Sequence, residues 1–168
     1  MADDSLFQIN VVTPERILLT GTASEVFLRT GEGDLAFLAG HTPLVGTVQP
    51  GVVRIVRPEG DEVRVAVHGG FTQVEQGVVV EGEGDDAVAG TRVTLLIGVA
   101  ELAEEIDVDR ARAALGTAEA RLAELGGTPN RTPAEGEEAD PELVEADAAL
   151  RRAQVRLEAV DASAATSA

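Results

Sequence analysis

From Leu6 to about Ile97 the chain alternates hydrophobic and polar positions. Phe7, Ile9 and Val11 alternate with Gln8 and Asn10; Val63, Val65 and Val67 are separated by Arg64 and Ala66; Val93, Leu95 and Ile97 share one side. A period of two carried by β-branched residues is the pattern of a half-buried antiparallel strand. Turn chemistry divides the runs at Thr13-Pro14-Glu15-Arg16, at Pro50-Gly51 and at Pro58-Glu59-Gly60-Asp61, where Pro presets φ and Gly supplies positive φ. Residues 1–100 are therefore expected to form an all-β sandwich of about eight to ten short antiparallel strands rather than a βαβ fold.

After Ala100 the period changes. Ala111, Leu115, Ala118, Leu122 and Leu125 are spaced by four and three, the stripe of a helix expected over 107–125. Asp107 suits its N-cap and Gly126-Gly127 its end. A second stripe, Leu143, Ala146, Leu150, Ala153, Leu157 and Val160, predicts a helix over 141–160, opened by Asp140-Pro141-Glu142 as cap, first-turn proline and first-turn acid. Residues 101–161 then form an antiparallel α-helical hairpin with its loop at 126–140. Its interface of alternating Leu and Ala is thin, so the pair is expected to lean on another surface. Two segments read as insertions: the acidic, Gly-rich stretch 81–92, expected at a hairpin tip, and the inter-helix loop. Residues 162–168 are expected to be a disordered tail.

Composition narrows the function classes. The 168 residues carry a formal charge of -17, with 30 acidic against 13 basic residues, a balance that disfavours phosphate backbones and anionic lipid as partners. Every basic side chain apart from two histidines is Arg; without Lys there is neither a Walker phosphate loop nor Schiff-base chemistry. The lack of Cys removes disulfides, thiolate nucleophiles and Cys-ligated metals, and suits a reducing compartment. Met1-Ala2-Asp3-Asp4 lacks the basic start of a signal peptide, and no run reaches the ~18 apolar residues of a membrane span. No direct membrane insertion is expected. His41 and His68, the only histidines, have no ligand or acid-base partner at a recognisable spacing, so neither a catalytic nor a metal site is predicted.

Three stretches, taken in order, resemble the signature of the epsilon subunit of bacterial F-type ATP synthases: Gly33-Asp34-Leu35-Ala36-Phe37-Leu38-Ala39-Gly40-His41-Thr42-Pro43-Leu44, Gln49-Pro50-Gly51-Val52-Val53-Arg54-Ile55, and Gly69-Gly70-Phe71-Thr72-Gln73-Val74 leading on to Val93-Thr94-Leu95-Leu96. Val12-Thr13-Pro14-Glu15-Arg16 matches the family's opening strand and turn. The likeness departs from the family at Ala36 and Ala39, where Gly and Pro are more usual, and at the two insertions.

The resemblance implies a non-catalytic rotor subunit of the central stalk. It would bind the gamma subunit and the c-ring, reach the catalytic alpha/beta hexamer with its hairpin, and couple proton flow to ATP synthesis at the cytoplasmic face of the bacterial membrane. The hairpin is expected to switch between compact and extended states and to restrain ATP hydrolysis. Rotor-interface residues implied by the likeness are Glu32, Asp34, Gly40, His41 and Pro43. Ile106-Asp107-Val108-Asp109-Arg110-Ala111 resembles the Ile/Leu-Asp-x-x-Arg-Ala pattern with which some family members bind ATP. On that likeness Glu101, Asp107, Arg110, Arg152 and Arg156 form a regulatory site for ATP with magnesium; the bland alternative is an N-cap and ordinary helix charges. The rival to the rotor assignment is a free-standing β-sandwich adaptor with a helical arm. An enzyme is the weakest reading, since no nucleophile-base pair or paired carboxylates stand out.

Overall fold

The computed structural model describes residues 5–80, 88–129 and 140–166. The chain divides into two compact units, Met1–Ala103 and Glu104–Ala168.

The first unit is a ten-stranded sheet. Its strands are β1 (Phe7–Val12), β2 (Ile17–Ala23), β3 (Glu25–Thr30), β4 (Gly33–Leu38), β5 (Leu44–Val48), β6 (Gly51–Val56), β7 (Glu62–Val67), β8 (Gly70–Val80), β9 (Val88–Ile97) and β10 (Ala100–Leu102). The order is β10-β7-β6-β3-β5-β8-β9-β1-β2, with β4 on the other edge of β3. β3 pairs with β6 through Glu25–Phe27 but with β5 only through Thr30. It thereby hands the sheet from one layer to the other, and the two layers close as a sandwich. The core draws on both: Phe7, Ile9, Val11, Val93, Leu95 and Ile97 from one, Val26, Phe37, Val53, Ile55, Val65 and Val67 from the other, each at most 2% exposed. Burying alternate positions from both layers is what the period of two encodes.

Three expectations are corrected. Not all the strands are antiparallel: β1 runs parallel to β9, Gln8 opposite Arg92 through Val12 opposite Leu96. The long connection that parallel pairing requires is supplied by the intervening strands. The sheet also extends past residue 100, because Ala100 and Leu102 pack against the core while β10 pairs with β7. Glu101 therefore belongs to the sandwich. Finally, Val88–Arg92 belongs to β9, which pairs Val88 with Val80, so only 81–87 of the supposed tip remain, and these lie outside the described residues.

Glycines explain one of the signature stretches, Gly69-Gly70-Phe71. Gly69 has φ 101°, and a Cβ on Gly70 would come within 2.2 Å of the Leu96 carbonyl oxygen. One glycine makes the turn and the next permits the close approach of β8 to β9.

The second unit pairs α1 (Val108–Glu124) with α2 (Pro141–Thr166). Asp107 caps α1, its Oδ1 accepting from the Arg110 N–H at 3.0 Å. The helix ends in a Schellman motif: Gly126 (φ 67°) donates to the Ala123 carbonyl at 3.0 Å and Gly127 to that of Leu122 at 2.9 Å. Asp140 caps α2 through the Glu142 N–H at 2.9 Å, with Pro141 in the first turn. Ala118, Leu122, Ala146 and Leu150 form the shared core, flanked by Leu115, Leu125, Leu143 and Ala149. Arg121 near the end of α1 bonds Glu142 at the start of α2, as an antiparallel hairpin requires.

α2 departs from expectation at two points. Helix continues through 162–166, the first part of the supposed tail, because Ala-Ser-Ala-Ala-Thr contains neither Gly nor Pro and Ala is the strongest helix former. Leu157 and Val160 are only half-buried, whereas Val155 and Ala159 are buried at 6% and 0% exposure. Of the inter-helix loop, 130–139 lie outside the described residues.

Candidate functional site

The five residues expected at the rotor interface do not share one loop. Glu32 occupies the β3–β4 turn, with Asp34 beside it on β4, while Gly40, His41 and Pro43 follow the other end of β4. A six-residue strand separates the two groups by roughly 17 Å. Glu32 and Asp34 are close in sequence to Gly40-His41, but the strand between them makes two sites of one.

At the first end, Thr30 Oγ1 donates to the Gly33 carbonyl at 2.9 Å and accepts from the Glu32 N–H at 3.2 Å, fixing a tight turn whose Gly33 has φ 128°. Asp34 is paired across the strands with Arg29, which donates from Nε at 2.8 Å and from Nη2 at 3.3 Å. The Arg29 hydrogen bond holds the Asp34 carboxyl below its ordinary 3.8, against a smaller opposing effect of burial and with added help from the Arg29 charge. Asp34 is thus already answered by a guanidinium, and the exposed Glu32 is the acid at the tip. Thr47 and Gln49 side chains stand 3.6 and 3.7 Å from where a Cβ on Gly31 would lie, so the Gln49-Pro50-Gly51 stretch shares this end.

At the other end the loop is held from inside and outside. The His41 ring meets buried Phe37 edge-on, with centroids 4.9 Å apart, and its Nδ1 lies 2.8 Å from the Thr42 carbonyl. The His41 N–H donates to Leu38 at 3.2 Å, closing a turn through Gly40 (φ 77°). The Gly40 N–H donates to Thr91 Oγ1 at 2.9 Å, and Gln76 Nε2 donates to the carbonyls of Gly40 and His41 at 2.7 and 2.8 Å. Pro43 is exposed beyond the turn. Gln76 and Thr91 were not among the residues anticipated. A polar residue near a strand's end carries no sequence mark separating a clamp from a solvated side chain.

The proposed nucleotide residues divide between the units. Glu101 is on β10, its Oε1 4.0 Å from Nε2 of His68, whose side chain is 6% exposed. This His-acid pair was missed because 33 positions separate its members and only the β7–β10 register joins them. On the hairpin, Asp107 serves as a cap and Arg110 is exposed in the first turn. Arg152 donates from Nη2 to Glu145 Oε1 at 2.7 Å. Counting from the Arg121–Glu142 contact at 1.5 Å per residue along both helices, Asp107 is level with Arg156 and Arg110 with Ala153. The α1 N-terminus and the Arg152–Arg156 turn therefore stand at the same height. Among the described residues no group of three or more His, Cys, Asp or Glu side chains is placed to hold a metal ion, and no helix is long and apolar enough to cross a membrane.

Residues 6–80 match the beta-sandwich domain of the ATP synthase Delta/Epsilon chain, and residues 104–161 its long alpha-helix domain. The ATP synthase epsilon chain of Thermobifida fusca is 43% identical over 121 residues, which cover 71% of this chain and 79% of that one. That of Symbiobacterium thermophilum is 39% identical over 163 residues, 96% of each chain. The chain belongs to the ATP synthase epsilon-chain family. An adaptor unrelated to ATP synthase is thereby set aside, and the family places the chain in ATP synthesis and ion transport as the epsilon subunit. The fold agrees with a chain in the mitochondrial ATP synthase (OSCP/F1/c-ring) of Euglena gracilis, with a TM-score of 0.64 at 21% identity over 92% of this epsilon chain and 81% of that one.

Proposed function

We propose that this epsilon chain is the non-catalytic central-stalk subunit of a proton-translocating F-type ATP synthase, at the cytoplasmic face of a bacterial membrane. The observation that carries this reading is the separation of the signature residues to two ends of one sandwich. A rotor subunit between a ring and a shaft needs two docking ends held rigidly apart. The exposed Glu32 tip, where complementary charge orients more than it binds, is the end offered to the loops of the c-ring. The Gly40–His41 loop at the opposite end is left for the gamma subunit. The subunit needs no catalytic residue for this; it transmits rotation.

The hairpin is the regulatory arm in this reading, reaching the alpha/beta hexamer to restrain hydrolysis. Its shared core of Ala118, Leu122, Ala146 and Leu150 is small enough for a competing surface to bias the population. ATP with magnesium is the ligand proposed to bias it further. The donor set suits a triphosphate: the first turn of α1, with the positive end of its dipole, stands at one height with Arg152 and Arg156.

Two experiments test these readings. The chain should co-purify with a membrane ATP synthase and bind isolated gamma; failure of both would remove the rotor assignment. Truncation after Ile106 should raise the ATPase activity of the reconstituted enzyme, and an unchanged rate would remove the inhibitory role alone.

A further inference from the structure

We propose that Gln76 is a positioning residue for the docking loop, bracing Gly40-His41 in the shape that the loop presents to its partner. The proposal rests on the reading that this loop docks on the gamma subunit.

The brace is built from a cross-strand pair. Gln76 and Thr91 face each other in the β8–β9 ladder, next to a register shift between Gln76 and Val78 where Gly77 takes φ 69°. Thr91 is 5% exposed and accepts the Gly40 N–H, while Gln76 donates to the two successive carbonyls. The pair thus holds Gly40 at both its N–H and its carbonyl, and His41 at its carbonyl. Two converging carbonyl oxygens leave only the NH2 end of the Gln76 amide able to face them, so its orientation is fixed by chemistry. The loop lacks regular pairing of its own: its internal contacts are the His41-to-Leu38 bond, the approach of His41 Nδ1 to the Thr42 carbonyl and the ring contact with Phe37. An exposed turn with so few bonds samples other shapes unless something outside it holds the carbonyls. Ordering it beforehand lowers the entropy lost on docking. The brace also ties the loop to the β8–β9 hairpin, whose described strands continue past it to Val80 and Val88.

The test uses the full-length chain with three variants. Gln76→Glu keeps the shape but turns the donor into a carboxylate facing two carbonyl oxygens; Gln76→Lys keeps a donor; Thr91→Val removes the acceptor for Gly40. Hydrogen exchange at the Gly40 amide should be slow in the native chain. It should accelerate about tenfold in Gln76→Glu and Thr91→Val, the scale of one lost hydrogen bond, and return towards the native rate in Gln76→Lys. Core amides of β9 should stay protected throughout, showing the fold intact. Affinity for isolated gamma should fall about tenfold in Gln76→Glu and recover in Gln76→Lys. Native exchange in Gln76→Glu overturns the brace. Fast exchange with native affinity overturns its role in docking. A native chain that does not bind gamma overturns the docking reading itself, and the exchange rates still decide whether the brace exists.

Discussion

Gly70 and Leu96 approach so closely across β8 and β9 that a methyl group on Gly70 would stand 2.2 Å from the Leu96 carbonyl oxygen and 3.0 Å from the Ile97 Cα. Both obstacles are backbone, so relief requires the two strands to move apart. Gly70→Ala is expected to destabilise the chain by about 2–3 kcal/mol, the upper range for overpacking. Gly98→Ala, with nothing within 4 Å of its added Cβ, is expected to be nearly neutral. Urea unfolding of the two variants checks the contrast, and equal midpoints would contradict it.

The cap on α1 and the proposed nucleotide site share Asp107, and two substitutions separate the roles. Asp107→Ala removes the acceptor for the Arg110 N–H and should cost about 1 kcal/mol of helix stability. Asp107→Asn keeps the cap but removes the charge. In thermal-shift titrations with millimolar ATP and magnesium, the native chain should gain melting temperature and the Asn variant should respond differently. If the native chain does not shift at all, the nucleotide site is refuted while the cap prediction stands.

At the end of α1, Gly126 holds the left-handed conformation of the Schellman motif. Gly126→Ala should cost about 1 kcal/mol, because an L side chain there is strained and alternative endings lose the Leu122 and Ala123 carbonyl bonds. Helical circular dichroism should therefore fade at a lower temperature than in the native chain.

Arg29 depresses the Asp34 pKa, chiefly by hydrogen bonding. A depressed carboxylate adds stability above its unfolded pKa and loses that contribution as pH falls through its folded one. Both members are largely exposed, 63% and 71%, so the contribution is small. The carboxyl of Asp34 followed by NMR should titrate below 3.8, and Arg29→Gln should raise it towards that value. A midpoint unmoved by the substitution would show that Arg29 is not the cause.

How much of this was legible depended on the range of the interaction. Ile9, Val11, Val93 and Leu95 could be assigned to a core from alternation alone, since a two-layer sandwich buries one face of each strand. β7 breaks that rule, with Arg64, Val65, Ala66 and Val67 all buried, and no period of two predicts it. The helix caps were legible because Asp107, Gly126 and Asp140 act on neighbours a few residues away. The parallel β1–β9 pairing, the Gln76 clamp and the His68–Glu101 pair each join distant segments through register, which no local pattern records. The two-ended arrangement of Glu32 and His41 was hidden for a simpler reason: β4 is short enough in sequence to be overlooked and long enough in space to separate them.

The parallel pairing of β1 with β9 also sets a timetable for synthesis. Phe7–Val12 is made first, yet one of its edges stays unsatisfied until Arg92–Leu96 has left the ribosome. The β1–β2 hairpin can form early, but it must wait with an open edge while the intervening strands assemble. Non-local closure of this kind is slow and exposes an edge to wrong partners. The growing chain is therefore most vulnerable to aggregation in the interval before its ninth strand arrives.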